Sequence, residues 1–375
     1  MRSQRLLIMV FAFLISVESQ ATDSFSIRRI YGFPSAEQGI EQGVSACFAG
    51  SIGHQLLMAG GCNFPEKPAA DGGKKQFYRG IYVARITEND SLDWKRVGNL
   101  PVEAAYGVSV TCENGIVCIG GCNASGALRT VLHIRLQGEE VVVESWPALP
   151  CTMDNMTGCR VGQYIYVGGG NCDGIPSNQV LRLDLQNVKR GWVYCPSFPG
   201  NPRVQPVSGA VDDMAFCIWG GFNPRTNQAP ATLSLAGCAI TTDDQTWSEE
   251  PIPTDETDAP VFLGGAASVC LPTGATLVLG GVNQEIFLQA LNNPQPDYLR
   301  HPAEWYRFNP NIFLYQYGEW QLIGHSQITA RAGAALVCCD NAVYLIGGEL
   351  KPGIRSPHIF KLFSPESAPQ TQTND

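Results

Sequence analysis

Short apolar runs recur along the whole chain, and six of them end in a glycine doublet. The doublets are Gly60-Gly61, Gly120-Gly121, Gly168-Gly169, Gly220-Gly221, Gly280-Gly281 and Gly347-Gly348, at intervals of 60, 48, 52, 60 and 67 residues. Runs of four or five apolar residues bounded by glycine favour β-strands over helices. A repeat of about 50 residues is typical of propeller blades. The pattern therefore predicts an all-β protein, a six-bladed β-propeller.

Two further strand-like runs follow each of the first five doublets, and the outer run of several repeats carries one tryptophan, as at Trp192, Trp247 and Trp320. One tryptophan per outer strand resembles the kelch repeat, in which that ring packs between blades. The N-terminal run 25–33 has no doublet of its own, and only one run, 358–362, follows the last doublet. We therefore predict a kelch-type propeller in which the N-terminal strand completes the last blade, leaving no open sheet edge there.

The first 21 residues have the pattern of a secretory signal peptide. Arg2 and Arg5 precede an apolar run over 6–17, and Ser19-Gln20-Ala21 is a small-x-small cleavage pattern. An N-terminal membrane anchor is the alternative, although a spanning helix needs about 20 apolar residues. We expect residues 1–21 to be a signal peptide, residues 22–375 to form a single propeller domain, and the protein to be periplasmic with no membrane insertion.

The net charge and the spacing of the cysteines limit the kinds of ligand that the protein is expected to bind. The chain of 375 residues has a formal charge of -9, so it lacks the basic surface that nucleic acid or anionic membranes require. An acidic ligand would need a local cluster of Arg or Lys. The 14 cysteines contain no C-x-x-C spacing, and several lie inside apolar runs, where they act as small hydrophobic residues. We expect no metal and no cofactor, and the pairing of the cysteines is not readable.

The predicted blades place two groups of segments on one rim, because the loop after the second strand and the loop entering the first leave from the same end. Arg, amide and Tyr side chains collect there, and they suit a small anionic, hydroxylated ligand. The candidate ligand-binding residues are Tyr106, Arg203, Gln205, Asn283, Gln284 and Arg331.

Glu349 is the only ionisable residue that directly follows a doublet. Partial desolvation beside the central funnel would raise its pKa and suit it to general acid or base chemistry. The alternative is that Glu349 and Arg355 form a structural pair that holds a turn. Lys74, Lys75 and Lys351 are interpreted as solvated surface charges.

A run of about 30 residues separates Gly281 from the next strand near Ile312, the longest such gap in the chain. Its aromatic residues favour an ordered lid or a partner surface, with a short helix over 286–291.

Several of these segments resemble those of the N-acetylneuraminate epimerases, also called sialic acid mutarotases. The motifs are GGELKPGIR at 347–355, GGVNQEIF at 280–287 and FPGNPRVQ at 198–205. Their order differs from that in the better-known members, so the chain resembles the cyclically permuted mutarotase group. The resemblance implies a six-bladed kelch propeller in the periplasm, Glu349 and Arg355 as the catalytic pair, and N-acetylneuraminate as the substrate whose α and β anomers interconvert.

Two alternatives come from other classes. One is a non-catalytic kelch propeller that binds a glycan or a protein partner through the same rim. The other is a copper radical oxidase, which needs convergent His and Tyr ligands. The five histidines, at 54, 133, 301, 325 and 358, show no pairing at ligand spacing. The sequence leaves a homodimer open.

Overall fold

The computed structural model describes residues 26–87, 91–138 and 140–363, and it confirms the all-β class. Within these residues there are six four-stranded antiparallel sheets, named here sheet 1 to sheet 6. The strands are given from the innermost outward. Sheet 1 consists of Phe48–Ile52, Gln55–Ala59, Gly80–Ile86 and Leu92–Asn99, and sheet 2 of Val108–Cys112, Gly115–Ile119, Val131–Gln137 and Glu140–Ser145. Sheet 3 consists of Thr157–Val161, Tyr164–Gly168, Val180–Asp184 and Val193–Cys195. The predicted signal peptide lies outside the described residues.

The other three sheets follow the same plan. They consist of Val207–Val211, Ala215–Trp219, Gly237–Thr241 and Trp247–Glu250; Ala267–Cys270, Thr276–Leu279, Asn311–Gln316 and Glu319–His325; and Ala335–Cys339, Ala342–Ile346, Ile359–Phe363 and Ser26–Ile30. In sheet 6 the N-terminal strand pairs antiparallel with the C-terminal strand, with Ile30 opposite Ile359. The N-terminal strand is therefore the outermost strand of sheet 6.

Short ladders lie beyond the second strands. They are Cys62–Asn63 with Gln76–Phe77, Cys122–Asn123 with Gly126–Ala127, Met153–Asp154 with Asn171–Cys172 and Ile175–Pro176, Phe222–Asn223 with Thr232–Leu233, and Glu349–Lys351 with Ile354–Arg355. One α-helix spans Gln284–Asn292, and 3₁₀ turns span Ile40–Gln42, Ala69–Asp71, Val188–Arg190, Tyr298–Arg300 and Ala303–Tyr306. The predicted helix over 286–291 is therefore present.

The core is divided among the junctions between neighbouring sheets. Six buried clusters lie there, and each draws apolar side chains from two sheets that follow one another in the chain or, for sheets 6 and 1, from the last and the first. The innermost strands contact each other in the same cyclic order. Trp247 and Trp320 pack against two of these clusters, as the tryptophan pattern predicted.

A closed ring of backbone hydrogen bonds joins the six sheets at one rim. Two residues before each innermost strand, the backbone adopts a left-handed conformation, with φ between 52° and 72°. Each N–H at this position donates to the carbonyl of its counterpart in the preceding sheet, over 2.8 to 3.2 Å. The ring residues are Ala46, Tyr106, Asn155, Gln205, Gly265 and Gly333.

The ring corrects two boundaries of the predicted strands. The apolar pattern alone would start the innermost strands of sheets 1 and 2 at Val44 and Tyr106, but these strands begin at Phe48 and Val108. The left-handed residue breaks the extended backbone, so an apolar pattern that continues across it does not form a strand.

The third doublet also lies one residue later than expected. Gly168 ends a strand, and Gly169 and Gly170 take the positive φ angles, 69° and 70°, that the other doublets adopt. Glycine is required at such positions for a second reason. A Cβ built on Gly347 would stand 2.3 Å from the carbonyl oxygen of Val44, so sheet 1 approaches this doublet too closely for a side chain.

Candidate functional site

A cavity of about 480 Å³ opens at the rim that carries the ring. All six ring residues line it, and so does Glu349. The segments that follow the doublets pair with the segments that enter the same sheets, as Ala332 does with Glu349 and Ala105 with Cys122. The two groups of loops therefore share one rim, as the sequence predicted.

Glu349 and Arg355 face each other across the small ladder that follows the last doublet. Arg355 Nη2 lies 2.5 Å from Glu349 Oε1. The guanidinium side chain is 2% exposed and the carboxylate side chain 22% exposed. The pair is therefore almost dry on the arginine side and open to the cavity on the glutamate side.

Of the other two nitrogens of Arg355, one has a hydrogen-bond partner and one has none. Nε donates to Ser45 Oγ over 3.0 Å, and the guanidinium carbon lies 5.1 Å from the centre of the Phe64 ring. Nη1 is buried and has no hydrogen-bond partner among the described residues. A buried donor without an acceptor is costly, so such a group often marks a position that a ligand or water satisfies.

Burial raises the pKa of Glu349 above its usual value, and the positive charges of Arg355 and Lys75 partly oppose the rise. Desolvation disfavours the charged carboxylate more than the two cations favour it. A carboxylate whose pKa is raised in this way is a better proton acceptor than an exposed one, which suits general acid or base chemistry.

Tyr106, which lines the cavity, forms a second polar pair with Lys75. Lys75 Nζ donates to Tyr106 Oη over 2.8 Å, and it lies 4.7 Å from the centre of the same ring. Burial raises the pKa of the Tyr106 hydroxyl, which therefore keeps its proton at neutral pH. Since its oxygen accepts from Lys75, its own hydrogen remains able to donate.

Two further ring residues carry amide groups in contact with each other. Gln205 Nε2 donates to Asn155 Oδ1 over 3.0 Å. Asn155 Nδ2 in turn donates to the buried Asp154 carboxylate over 2.6 Å, and Asn171 donates to the same oxygen over 2.8 Å. The cavity thus has one wall of hydrogen-bonding groups, on sheets 3 and 4.

Arg203 and Arg331 do not line this cavity. Arg203 is buried, donates to the carbonyl of Ala236 over 2.7 Å and lies over the Phe198 ring. Arg331 is buried, and its Nε and Nη1 donate to the carbonyls of Ile328 and Gly347 over 3.0 and 2.7 Å. Burial lowers both pKa values, that of Arg331 to about 10. Both guanidinium groups donate to backbone carbonyls, and the structure does not bring either residue into the cavity lining with Glu349.

Asn283 and Gln284 also lie apart from Glu349. They line a different cavity, beside Arg307 and His325. Asn283 caps the helix Gln284–Asn292, since its side-chain oxygen accepts from the backbone N–H of Ile286 over 3.1 Å. An N-cap side chain satisfies one of the free donors at the start of a helix, and this explains the asparagine without a ligand.

The long run after Gly281 is ordered and lies across the rim. The helix end is fixed to sheet 4, because Asn292 exchanges two hydrogen bonds with the backbone of Ala231. The following turn is fixed to sheet 1 by Arg300, which contacts Asp71 and the carbonyl of Ala70. Lys351, interpreted from sequence as a surface charge, donates to the carbonyl of His301 over 2.6 Å. Five apolar side chains of this run line the cavity: Val282, Phe287, Leu291, Tyr298 and Phe308.

A larger cavity, of about 680 Å³, lies at the opposite ends of the innermost strands. It shares Ser109, Gly158, Ser268 and Leu336 with the first cavity, so the two meet along the axis. Its ionisable lining, which includes Arg160 and Asp340, contains no counterpart of the buried Glu349–Arg355 pair.

Sequence reasoning missed Asn155 and the apolar side chains that line the cavity, and it did not predict the hydrogen bond from the exposed Lys75 to Tyr106. Asn155 was recognisable by alignment of the repeats, since it stands two residues before its strand, as Tyr106 and Gln205 do. No local pattern marks Lys75 or Phe287, because their places depend on loops that cross from one sheet to another.

Among the described residues, no group of three or more His, Cys, Asp or Glu side chains could hold a metal ion. None of the helices in residues 26–87, 91–138 and 140–363 is long and apolar enough to cross a membrane.

Comparison with known proteins gives one family. The family model for N-acetylneuraminate epimerase matches residues 17–143 and 146–368. The chain is 29% identical over 229 residues to the N-acetylneuraminate epimerase of Salmonella enteritidis PT4, with 57% of each protein covered. It is 29% identical over 234 residues to that of Yersinia pestis, with 58% of this chain and 57% of the relative covered.

The matched region therefore spans little more than half the length of these relatives. A solved structure of YjhT superposes with a TM-score of 0.49 at 24% identity, over 60% of this chain and 69% of that one. The match to the family model extends over both the Glu349 ladder and the ring residues. The chain belongs to the N-acetylneuraminate epimerase family.

Proposed function

We propose that the protein is an isomerase that interconverts the α and β anomers of N-acetylneuraminate through the open keto form, supporting the uptake and use of sialic acid. The observation that carries the proposal is the pair of Glu349 and Arg355 at the cavity, with Arg355 Nη1 buried and without a partner. A carboxylate of raised pKa beside an unsatisfied guanidinium donor suits proton transfer on an anionic sugar.

Ring opening requires that one proton leave the anomeric hydroxyl and that another reach the ring oxygen. The Glu349 carboxylate removes the first proton, the bond between the anomeric carbon and the ring oxygen breaks, and the protonated Glu349 returns the proton to the ring oxygen. The keto group then rotates, and closure on its other face reverses the steps. A tenfold increase in rate corresponds to lowering the activation free energy by about 1.4 kcal/mol, so one well-placed acid or base group gives a measurable acceleration.

The cavity walls match the parts of this substrate. Gln205 and Asn155 offer amide groups to hydroxyls, and Tyr106 offers a phenol. The apolar wall, with Phe287 and Leu291, suits the methyl of an N-acetyl group, because burying an apolar methyl there removes it from water.

The six sheets are, in this proposal, the blades of a kelch-type propeller closed by the N-terminal strand. The ring of backbone hydrogen bonds and the pairing of Ser26–Ile30 with Ile359–Phe363 support it. Residues 1–21 act as a signal peptide that directs the protein to the periplasm. The disulfide between Cys151 and Cys172 fits an oxidising compartment.

The test is to dissolve crystalline, anomerically pure N-acetylneuraminate and to follow the anomers by NMR. Wild-type protein should shorten the approach to equilibrium, and Glu349→Gln should not. Equal rates for the two proteins would remove the catalytic role. Binding of the sugar without any acceleration would instead favour a non-catalytic glycan-binding propeller.

A further inference from the structure

An anionic sugar needs cations that remain available to it, and few remain at this cavity. The guanidinium groups of Arg203 and Arg331 donate to backbone carbonyls inside the protein. Arg355 contacts Glu349 through Nη2 and donates to Ser45 through Nε. Nη1 is the nitrogen that has no partner among the described residues. Since Glu349 offsets the charge of Arg355, a second cation is needed for a net attraction.

Lys75 meets that requirement. Its side chain is exposed, and it forms no ion pair with any described residue. Its ammonium is nevertheless held in place, 2.8 Å from Tyr106 Oη and 5.9 Å from the centre of the Phe64 ring. One of its three N–H donors is used by Tyr106, and two remain.

Phe64 connects Lys75 with the catalytic pair. The Arg355 guanidinium lies 5.1 Å from the centre of the same ring, so both cations lie within 6 Å of one aromatic ring. The charge of Lys75 also reaches Glu349, whose pKa it lowers. Lys75 therefore adds a positive charge within electrostatic reach of the Glu349–Arg355 pair.

We propose that Lys75, positioned by Tyr106 and Phe64, binds the substrate carboxylate jointly with Arg355 Nη1 and so makes the site specific for sugar acids. The inference rests on the proposed function and extends it to a residue outside the Glu349–Arg355 ladder. Lys75 contacts the ligand and takes no part in proton transfer.

The experiment measures KM and kcat for anomer exchange with Lys75→Met, Lys75→Arg and the matched control Lys74→Met, which removes an equally exposed neighbouring charge. Lys75→Met should raise KM about tenfold, as expected for the loss of a charge-assisted hydrogen bond, with kcat little changed. Lys75→Arg should restore most of the affinity. Lys74→Met should match the wild type.

The methyl ester of N-acetylneuraminate provides the second arm. It lacks the negative charge, so wild type and Lys75→Met should handle it alike. A KM of Lys75→Met for the free acid within twofold of the control would overturn the inference.

Failure of the proposed function is distinguishable from failure of the inference. If the wild type does not accelerate anomer exchange, the proposed isomerase activity is wrong, and calorimetry with N-acetylneuraminate decides the role of Lys75. Weaker binding by Lys75→Met than by Lys74→Met would support carboxylate binding. Equal binding, or none by the wild type, would overturn it.

Discussion

Arg355 Nη2 lies 2.5 Å from Glu349 Oε1 because the two residues are cross-strand partners in a hairpin of only seven residues. Pro352 and Gly353 form its turn, and the φ of Gly353, 86°, is the angle that the third residue of a type II turn requires. The local sequence therefore brings the carboxylate and the guanidinium together. The neighbouring sheets then bury the guanidinium.

Removing the cation alone should destabilise the protein strongly. We expect Arg355→Met to lower the free energy of unfolding by about 3 kcal/mol, since it leaves the Glu349 carboxylate half-buried without its partner. The double variant Arg355→Met/Glu349→Gln should recover much of the loss. Chemical denaturation of the four proteins in this cycle measures the coupling, and additive effects of the two changes would contradict it.

The pH dependence of activity should follow the raised pKa of Glu349. Its ordinary value is 4.5, and burial raises it. The base form is lost as the pH falls through the raised pKa, so the rate of anomer exchange should decline at a higher pH than an exposed glutamate would give. NMR rates across the acid range measure this, and an inflection at or below the ordinary value would contradict it.

The same pKa shift makes a prediction about stability. The folded state holds the Glu349 proton more tightly than the unfolded state does, so protonation favours folding. The stability of the wild type relative to Glu349→Gln should therefore increase as the pH is lowered through the raised pKa, and decrease as it rises through that value. Thermal unfolding of both proteins over this range is the measurement.

At a ring residue with positive φ, a glycine variant should be more stable than an alanine variant, which is the reverse of the usual order. Gln205 has φ 53°, a conformation that costs a residue with a Cβ about 1 kcal/mol. Gln205→Gly should thus be more stable than Gln205→Ala by about that amount, although both lose the amide that faces the cavity. At Glu249, in an ordinary strand, the alanine variant should be the more stable one. If the alanine variant were the more stable one at both Gln205 and Glu249, backbone strain at the ring residues would be contradicted.

The disulfide between Cys151 and Cys172 should contribute separately to the free energy of unfolding. Cys151 and Cys172 are 21 residues apart, and closing a loop of this size stabilises a protein by about 3 kcal/mol. Cys151→Ser/Cys172→Ser should lose about that much in denaturant titrations. Dithiothreitol should lower the stability of the wild type equally and leave the variant unchanged.

The sequence by itself determined the strand repeat, the shared rim and the Glu349–Arg355 hairpin. Each depends on short-range features: apolar runs that end in glycine, the period of the repeat, and a Pro-Gly turn that sets two side chains opposite each other. Such features persist in any arrangement of the blades, so they are readable before the fold is known.

Only the tertiary structure decided which charges face the cavity. Arg203 and Arg331 look like ligand-binding residues in the sequence, yet Arg203 donates to the carbonyl of Ala236, and Arg331 donates to those of Ile328 and Gly347. Lys75 is exposed, as expected of a surface charge, and it donates to Tyr106, a cavity residue 31 positions away in the chain. A long cationic side chain reaches several ångströms from its own backbone, so its partner is chosen by the loops packed around it and not by its neighbours in sequence.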